Sequence, residues 1–329
     1  MNIDELIQAA QSPNNAQREA AEAELLRACD TDASYAFNEL VGVALDGAKP
    51  LASRQFALLS LRKLITFYWG PGFESYRNTS AVDQASKGNA RAALLKLCLD
   101  DGVDAKIRNG ASYCVVQISA VDFPDQWPEL LQVVYNAIAS LHSLSAMALL
   151  SEIYDDVISE EMFFEGGIGF ETLSIIFNLL TGSNNATTEA KVASSKLFHA
   201  CLLQMSTVDS HSSEKRRHFI QECIPRAIEI LGSTLTQVTS FSDTLQLSLV
   251  GKVYENLVLI KNEFPRKMFP PQTLKSFRMQ LFSDLEKLKN QYNAMCSQTE
   301  VDDGAMDTFN ECGIFMLEFL SSLLEHPFN

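Results

Sequence analysis

From residue 109 to residue 190 the chain has no lysine or arginine, while that gap holds eleven carboxylates. The shortage is general: 26 Lys and Arg stand against 41 Asp and Glu in 329 residues, a net charge of −15. A surface so short of cations cannot neutralise phosphates, which excludes a nucleic-acid backbone as partner and favours a basic one. Paired cysteines are missing as well. The seven Cys are odd in number, widely spread and form no C-x-x-C, so neither a disulfide framework nor a zinc knuckle is encoded, and a reducing compartment is expected. Cys98 and Cys114 lie among apolar residues and read as buried free thiols. No apolar run approaches the ~18 residues of a membrane span. The start, Met1-Asn2-Ile3-Asp4-Glu5, has neither the basic nor the apolar part of a signal peptide. The sequons at Asn78 and Asn185 are then chance matches.

Catalytic patterns are also lacking. The five histidines make no H-E-x-x-H pair, and neither G-x-S-x-G nor a Walker loop occurs, so the reading is a binding protein with no cofactor and no metal, not an enzyme. Glu165-Gly166-Gly167-Ile168-Gly169 follows no strand and reads as a turn between helices. Asp155-Asp156-Val157-Ile158-Ser159-Glu160 resembles the magnesium motif of all-α terpene synthases. That chemistry needs a second metal motif and cations for the diphosphate, and neither is present. Lys215-Arg216-Arg217 reads as a solvated turn.

Helical periodicity is abundant. In residues 54–69, Ala57, Leu61, Leu64, Ile65 and Tyr68 form one apolar stripe, with Gln55, Arg62 and Thr66 on another face. Proline falls mostly between such patterns, where its missing N–H does no harm; Pro225 is the exception and is expected near a helix start or kink. The helices pair as 2–11 with 14–29, 33–46 with 51–69, 82–100 with 103–120, 125–141 with 143–160, 167–181 with 187–206, 214–238 with 242–264, and 270–292 with 304–325. Linkers are expected at 70–81, 207–213 and 293–303. A period of roughly 40–47 residues is that of HEAT or armadillo repeats. The expected fold is therefore all-α: a right-handed α-solenoid of about seven HEAT-type helix pairs, with residues 1–329 as one solenoid. The last helix is apolar on more than one side (Ile314, Phe315, Leu317, Phe319, Leu320, Leu323, Leu324), so a longer solenoid is expected, of which this is the N-terminal part.

Two segments carry a family pattern. The first joins Ala21-Glu22-Ala23-Glu24-Leu25-Leu26 to the helix from Ser53 to Ile65 and Trp69; the second is Asp122-Phe123-Pro124-Asp125-Gln126-Trp127-Pro128-Glu129-Leu130-Leu131. Asp122 suits a helix cap, the prolines a turn and Trp127 a plug between repeats. Together they resemble the N-terminal domain of the importin-β (karyopherin-β) nuclear transport receptors, departing from it at Arg62-Lys63, where the family has Lys-Asn. Residues 68–77, 159–169 and 254–262 resemble the fungal and importin-nine branch that carries TATA-binding protein and core histones.

The resemblance implies a receptor that moves between cytoplasm and nucleus through nuclear pores. It would touch Phe-Gly nucleoporins through its outer helices and bind Ran-GTP on the second helices of its first repeats, about residues 14–100. Arg62 and Lys63 would lie on such a helix. Asp155, Asp156, Glu160 and Glu161, at the end of the fourth second helix, would meet basic groups of Ran or of cargo. Another HEAT scaffold, such as a phosphatase or vesicle-coat subunit, is the alternative, and the Asp-Phe-Pro-x-x-Trp-Pro run disfavours it.

Overall fold

The structure, a computed structural model, describes residues 3–182, 186–209, 211–269, 271–297 and 302–325. Among them are fifteen α-helices and no strand. Their packing divides the chain into two units, Met1–Val157 and Ile158–Asn329. The first unit holds α1 (Ile3–Ala10), α2 (Asn15–Thr31), α3 (Ala33–Leu45), α4 (Leu51–Tyr68), α5 (Gln84–Leu99), α6 (Ala105–Asp122), α7 (Leu130–Leu141) and α8 (Leu144–Asp156). The second holds α9 (Glu160–Phe164), α10 (Ile168–Leu180), α11 (Thr188–Ser206), α12 (Glu214–Gln237), α13 (Thr244–Glu263), α14 (Pro271–Cys296) and α15 (Asp303–Glu325), with a single 3-10 turn at Arg266–Met268.

The starts follow from local chemistry. Asn14, Asp32, Asp83, Asp104, Ser143, Ser159, Thr187, Ser213 and Asp243 each accept a first-turn amide with the side chain, satisfying an otherwise orphan donor. Proline sets two further boundaries. Pro50 opens α4, and Pro124 and Pro128 hold the chain out of helix until Leu130, five residues later than the periodicity suggests.

In the first unit α2 packs on α1 and α3, and the following second helices pack on the pair mate and on the next second helix: α4 on α3 and α6, then α6 on α5 and α8. The stripe read from the sequence is the one that is buried, with Ala57, Leu61, Leu64, Ile65 and Tyr68 shielded and Arg62 exposed. Each large apolar side chain buried this way contributes about 1.5–3 kcal/mol. In the second unit α11 packs on α10 and α13, and α13 on α15. Gly251 brings α13 against α15: a Cβ there would stand 3.2 Å from the Cys312 backbone. On α15, Cys312, Met316, Phe319 and Leu323 are buried, while Ile314, Leu317 and Leu324 remain exposed, as do Met279 and Phe282 of α14. This is the all-α solenoid class, built from helix pairs joined by short turns.

Three local expectations are corrected. The fourth second helix stops at Asp156 rather than 160, because Ser159 caps a separate short helix, α9. Pro225 lies well inside α12 and not near its start; as a proline it cannot donate to the Gln221 carbonyl. Asp122 caps nothing. It is the last residue of α6 and its carboxylate is buried, while the residue before α7 is Glu129, whose side chain makes no capping bond. The Asn185 sequon and part of the 293–303 linker lie outside the described residues.

Candidate binding faces

The second helices of the first unit carry an exposed polar row. Lys63 of α4 pairs with Glu22 of α2 at 3.4 Å. Its neighbour Arg62 lays its guanidinium 4.7 Å from the centre of the Tyr113 ring on α6. One turn earlier Leu59 is 64% exposed, and Tyr113 is half exposed. Two cations, a half-exposed tyrosine and an exposed leucine thus stand side by side on this face. Leu59 and Tyr113 were not singled out from the sequence. A helical wheel places each off the apolar stripe, which was the available signal.

On α8, Asp155 and Asp156 are both exposed at the C-terminal end. Partial burial, and then the neighbouring Asp156 charge, push the Asp155 carboxyl above the ordinary value. Neither aspartate has an ion-pair partner among the described residues.

Glu160 and Glu161 are not on that helix. They form the first turn of α9, in the second unit, where negative charge suits the helix N-terminus. Glu160 is held by Arg216 of α12 at 3.0 Å, and the same guanidinium grips Glu165 at 2.9 Å and lies 5.2 Å from the Phe164 ring centre. Lys215-Arg216-Arg217 is thus no solvated turn: Arg216 is a clamp closing the α9–α10 turn onto α12. That turn is Glu165-Gly166-Gly167, with Gly167 at φ +79°, and a Cβ on Gly169 would collide with the Phe163 ring at 2.7 Å. The glycines therefore serve the backbone and packing.

Between first helices lie two grooves that the sequence does not announce. One, of about 210 Å³, runs between α12 and α14. Ile228 and Phe277 line it, with Gly232, Ser233 and Ser276 as small neighbours. The other, of about 330 Å³, runs between α5 and α7 beside Leu95, Leu99, Trp127 and Val133. Among the described residues no group of three or more His, Cys, Asp and Glu is arranged to hold a metal ion, and no helix is long and apolar enough to cross a membrane.

The comparisons with known proteins agree with this architecture. No family model matches the chain. It is 51% identical over its whole length to importin subunit beta-5 of Saccharomyces cerevisiae, of which it covers 33%. Over 77% of its length it is 26% identical to importin subunit beta-5 of Schizosaccharomyces pombe, of which it covers 26%. The chain thus spans about a third or less of the curated relatives it matches. Among solved structures, the exportin Cse1 in its cargo-free, cytoplasmic state superposes with a TM-score of 0.61, at 14% identity, over 99% of this chain and 35% of that one. Kap95p with RanGDP, whose switch loops it drives to the GTP-bound conformation, gives 0.50 at 13% identity, over 99% and 43%. Kap95 in complex with Nup1 gives 0.51 at 15%, over the same shares. At such identities the structures speak for the fold alone.

Proposed function

The chain belongs to the importin-β family, and from that premise we propose that it is part of a nuclear import receptor that shuttles between cytoplasm and nucleus. Its likeness to a yeast importin subunit, which extends over the whole chain, carries the reading. The Ran-binding region is assigned to about residues 14–100, within α2–α5. The partner face is the row on the second helices, with Arg62 and Lys63 at its centre and Leu59 and Tyr113 as apolar anchors. A solved neighbour of the same fold is bound to RanGDP, which makes Ran the partner to test first.

The acidic positions Asp155, Asp156 and Glu161 are assigned to basic groups, on Ran or on cargo of the core-histone and TATA-binding-protein kind. Carboxylates without a cation of their own attract such a partner at long range and repel acidic ones. The α12–α14 groove, apolar at its base and large enough for one aromatic side chain, is assigned to Phe-Gly nucleoporin segments.

The test is capture of Ran by the immobilised chain. Selective capture of the GTP form, lost in the Arg62→Glu, Lys63→Glu double variant, supports the reading; equal capture of the GDP form, or none, overturns it. For the groove, Ser276→Trp fills the cavity and is expected to abolish binding of a Phe-Gly peptide while Ran capture persists.

A further inference from the structure

Tyr68 and Trp69 close α4, and each holds a carboxylate at the end of another second helix. The Tyr68 hydroxyl donates to Asp30 of α2 at 2.8 Å, where Thr79 also donates at 2.8 Å. The Trp69 indole N–H donates to both carboxylate oxygens of Asp122, at the end of α6, at 3.1 Å. Arg91 of α5 completes the second site, 3.4 Å from Asp122 and bonded to the Gln126 carbonyl. Tyr68 and Trp69 are wholly buried and Asp122 is 4% exposed. A buried indole N–H needs an acceptor, so Trp69 is left unpaired if Asp122 moves away, and each carboxylate loses one of its donors, Asp122 keeping Arg91 and Asp30 keeping Thr79.

We infer that Tyr68 and Trp69 form a lock that fixes α2, α4 and α6 to one another at their C-terminal ends, and that this lock sets the spacing of the exposed row Glu22, Lys63, Arg62 and Tyr113. The row and the lock sit on the same three helices. Repeat proteins contact mainly their nearest neighbours, so an unlocked stack flexes at every small interface. A partner bridging three helices loses less on binding when their spacing is already fixed. Tyr68 and Trp69 are thus positioning residues, buried away from any partner. The positioning half rests on the reading of the row as a partner face; the lock itself does not.

Amide hydrogen exchange on the whole 329-residue chain tests the lock, with Tyr68→Phe, Trp69→Phe and the double variant. Both single changes keep a ring in place and remove one donor. The lock predicts that exchange rises about tenfold together in the last turns of α2, α4 and α6, while α13 is unchanged. Acceleration confined to residues 66–71, or spread equally into α13, overturns it. The second arm measures dissociation of Ran-GTP, with Arg62 and Lys63 intact. Dissociation about fivefold faster in the double variant is expected. An unchanged rate overturns the positioning half. Absence of binding to the parent chain overturns the Ran reading together with the positioning half, and exchange alone then decides the lock.

Discussion

Arg216 grips Glu165 with two parallel hydrogen bonds, Nε to one carboxylate oxygen at 2.9 Å and a terminal nitrogen to the other at 3.2 Å. A forked pair of this kind is the strongest side-chain arrangement for arginine and carboxylate. It also changes the meaning of the cation-free stretch. In space that stretch is not without cations: Arg216 comes back to Glu160 and Glu165, and Arg91 to Asp122. The acidic surface is narrower than the sequence suggests: Asp155 and Asp156 at the end of α8 and, separately, Glu161 of α9 in the second unit are exposed with no ion pair among the described residues.

The clamp has a pH signature. Hydrogen bonds from Arg216 hold the Glu165 carboxyl below its ordinary value. A carboxyl depressed on folding adds stability above its unfolded pKa, and that stability is lost as pH falls through the folded value. Acid unfolding followed by circular dichroism below pH 5 is therefore expected to show a shallower loss in Arg216→Ala than in the parent, with the two curves converging at the acid end. Parallel curves would show that the fork contributes nothing to folding.

Two glycines are expected to respond in opposite senses to alanine. At Gly42, in the last turn of α3, a new Cβ meets nothing within 4 Å, so Gly42→Ala gains helix propensity and is expected to stabilise by about 0.5–1 kcal/mol. At Gly251 the same methyl stands 3.2 Å from the Cys312 Cα, a backbone atom that cannot yield alone. Gly251→Ala is expected to destabilise by about 1–3 kcal/mol, as overpacking does. Urea titration of both variants measures the contrast; equal effects would mean that α13 and α15 slide freely.

How much of this was legible in the sequence depends on the range of the interaction. Helix starts were readable to within a few residues because their causes are local: a capping side chain such as Asp243, or a proline such as Pro50. The role of Asp122 was not readable, since its donors lie 53 residues away at Trp69 and 31 away at Arg91, and no periodicity links them. The motif from Asp122 to Leu131 marks the family, yet read alone it suggested a cap. Arg62 and Lys63 were found from the family pattern, whereas Tyr113, which gives Arg62 its seat, belongs to the next second helix and emerges only from packing.

Thiol chemistry checks the burial of the core. Burial pushes the thiols of Cys29, Cys114 and Cys312 up to about 12 and that of Cys223 up to about 11, so thiolate is scarce at neutral pH. Cys296 is exposed. A thiol reagent at pH 7–8 is expected to label Cys296 quickly and the others only as the chain unfolds. Rapid native labelling of Cys114 would mean that α4 and α6 part readily.

Asp155 combines a folding cost with a solvent-facing position. Its carboxyl is pushed up, first by partial burial and then by Asp156. A group whose folded value is raised favours folding while protonated, and that benefit disappears as pH rises through the folded value, so at neutral pH the ionised form works against the fold. Asp155→Asn is therefore expected to be slightly more stable than the parent at pH 7, with the difference vanishing toward pH 3. A residue that lowers stability yet stands at the surface fits one kept for binding. The same variant is expected to bind Ran-GTP or a core histone more weakly, and with a smaller loss of affinity between low and physiological salt, because one charge has left the face. Calorimetry for stability and a salt series for affinity decide it together. A more stable variant that binds as tightly as the parent, with the same salt dependence, would leave Asp155 only a role in solubility.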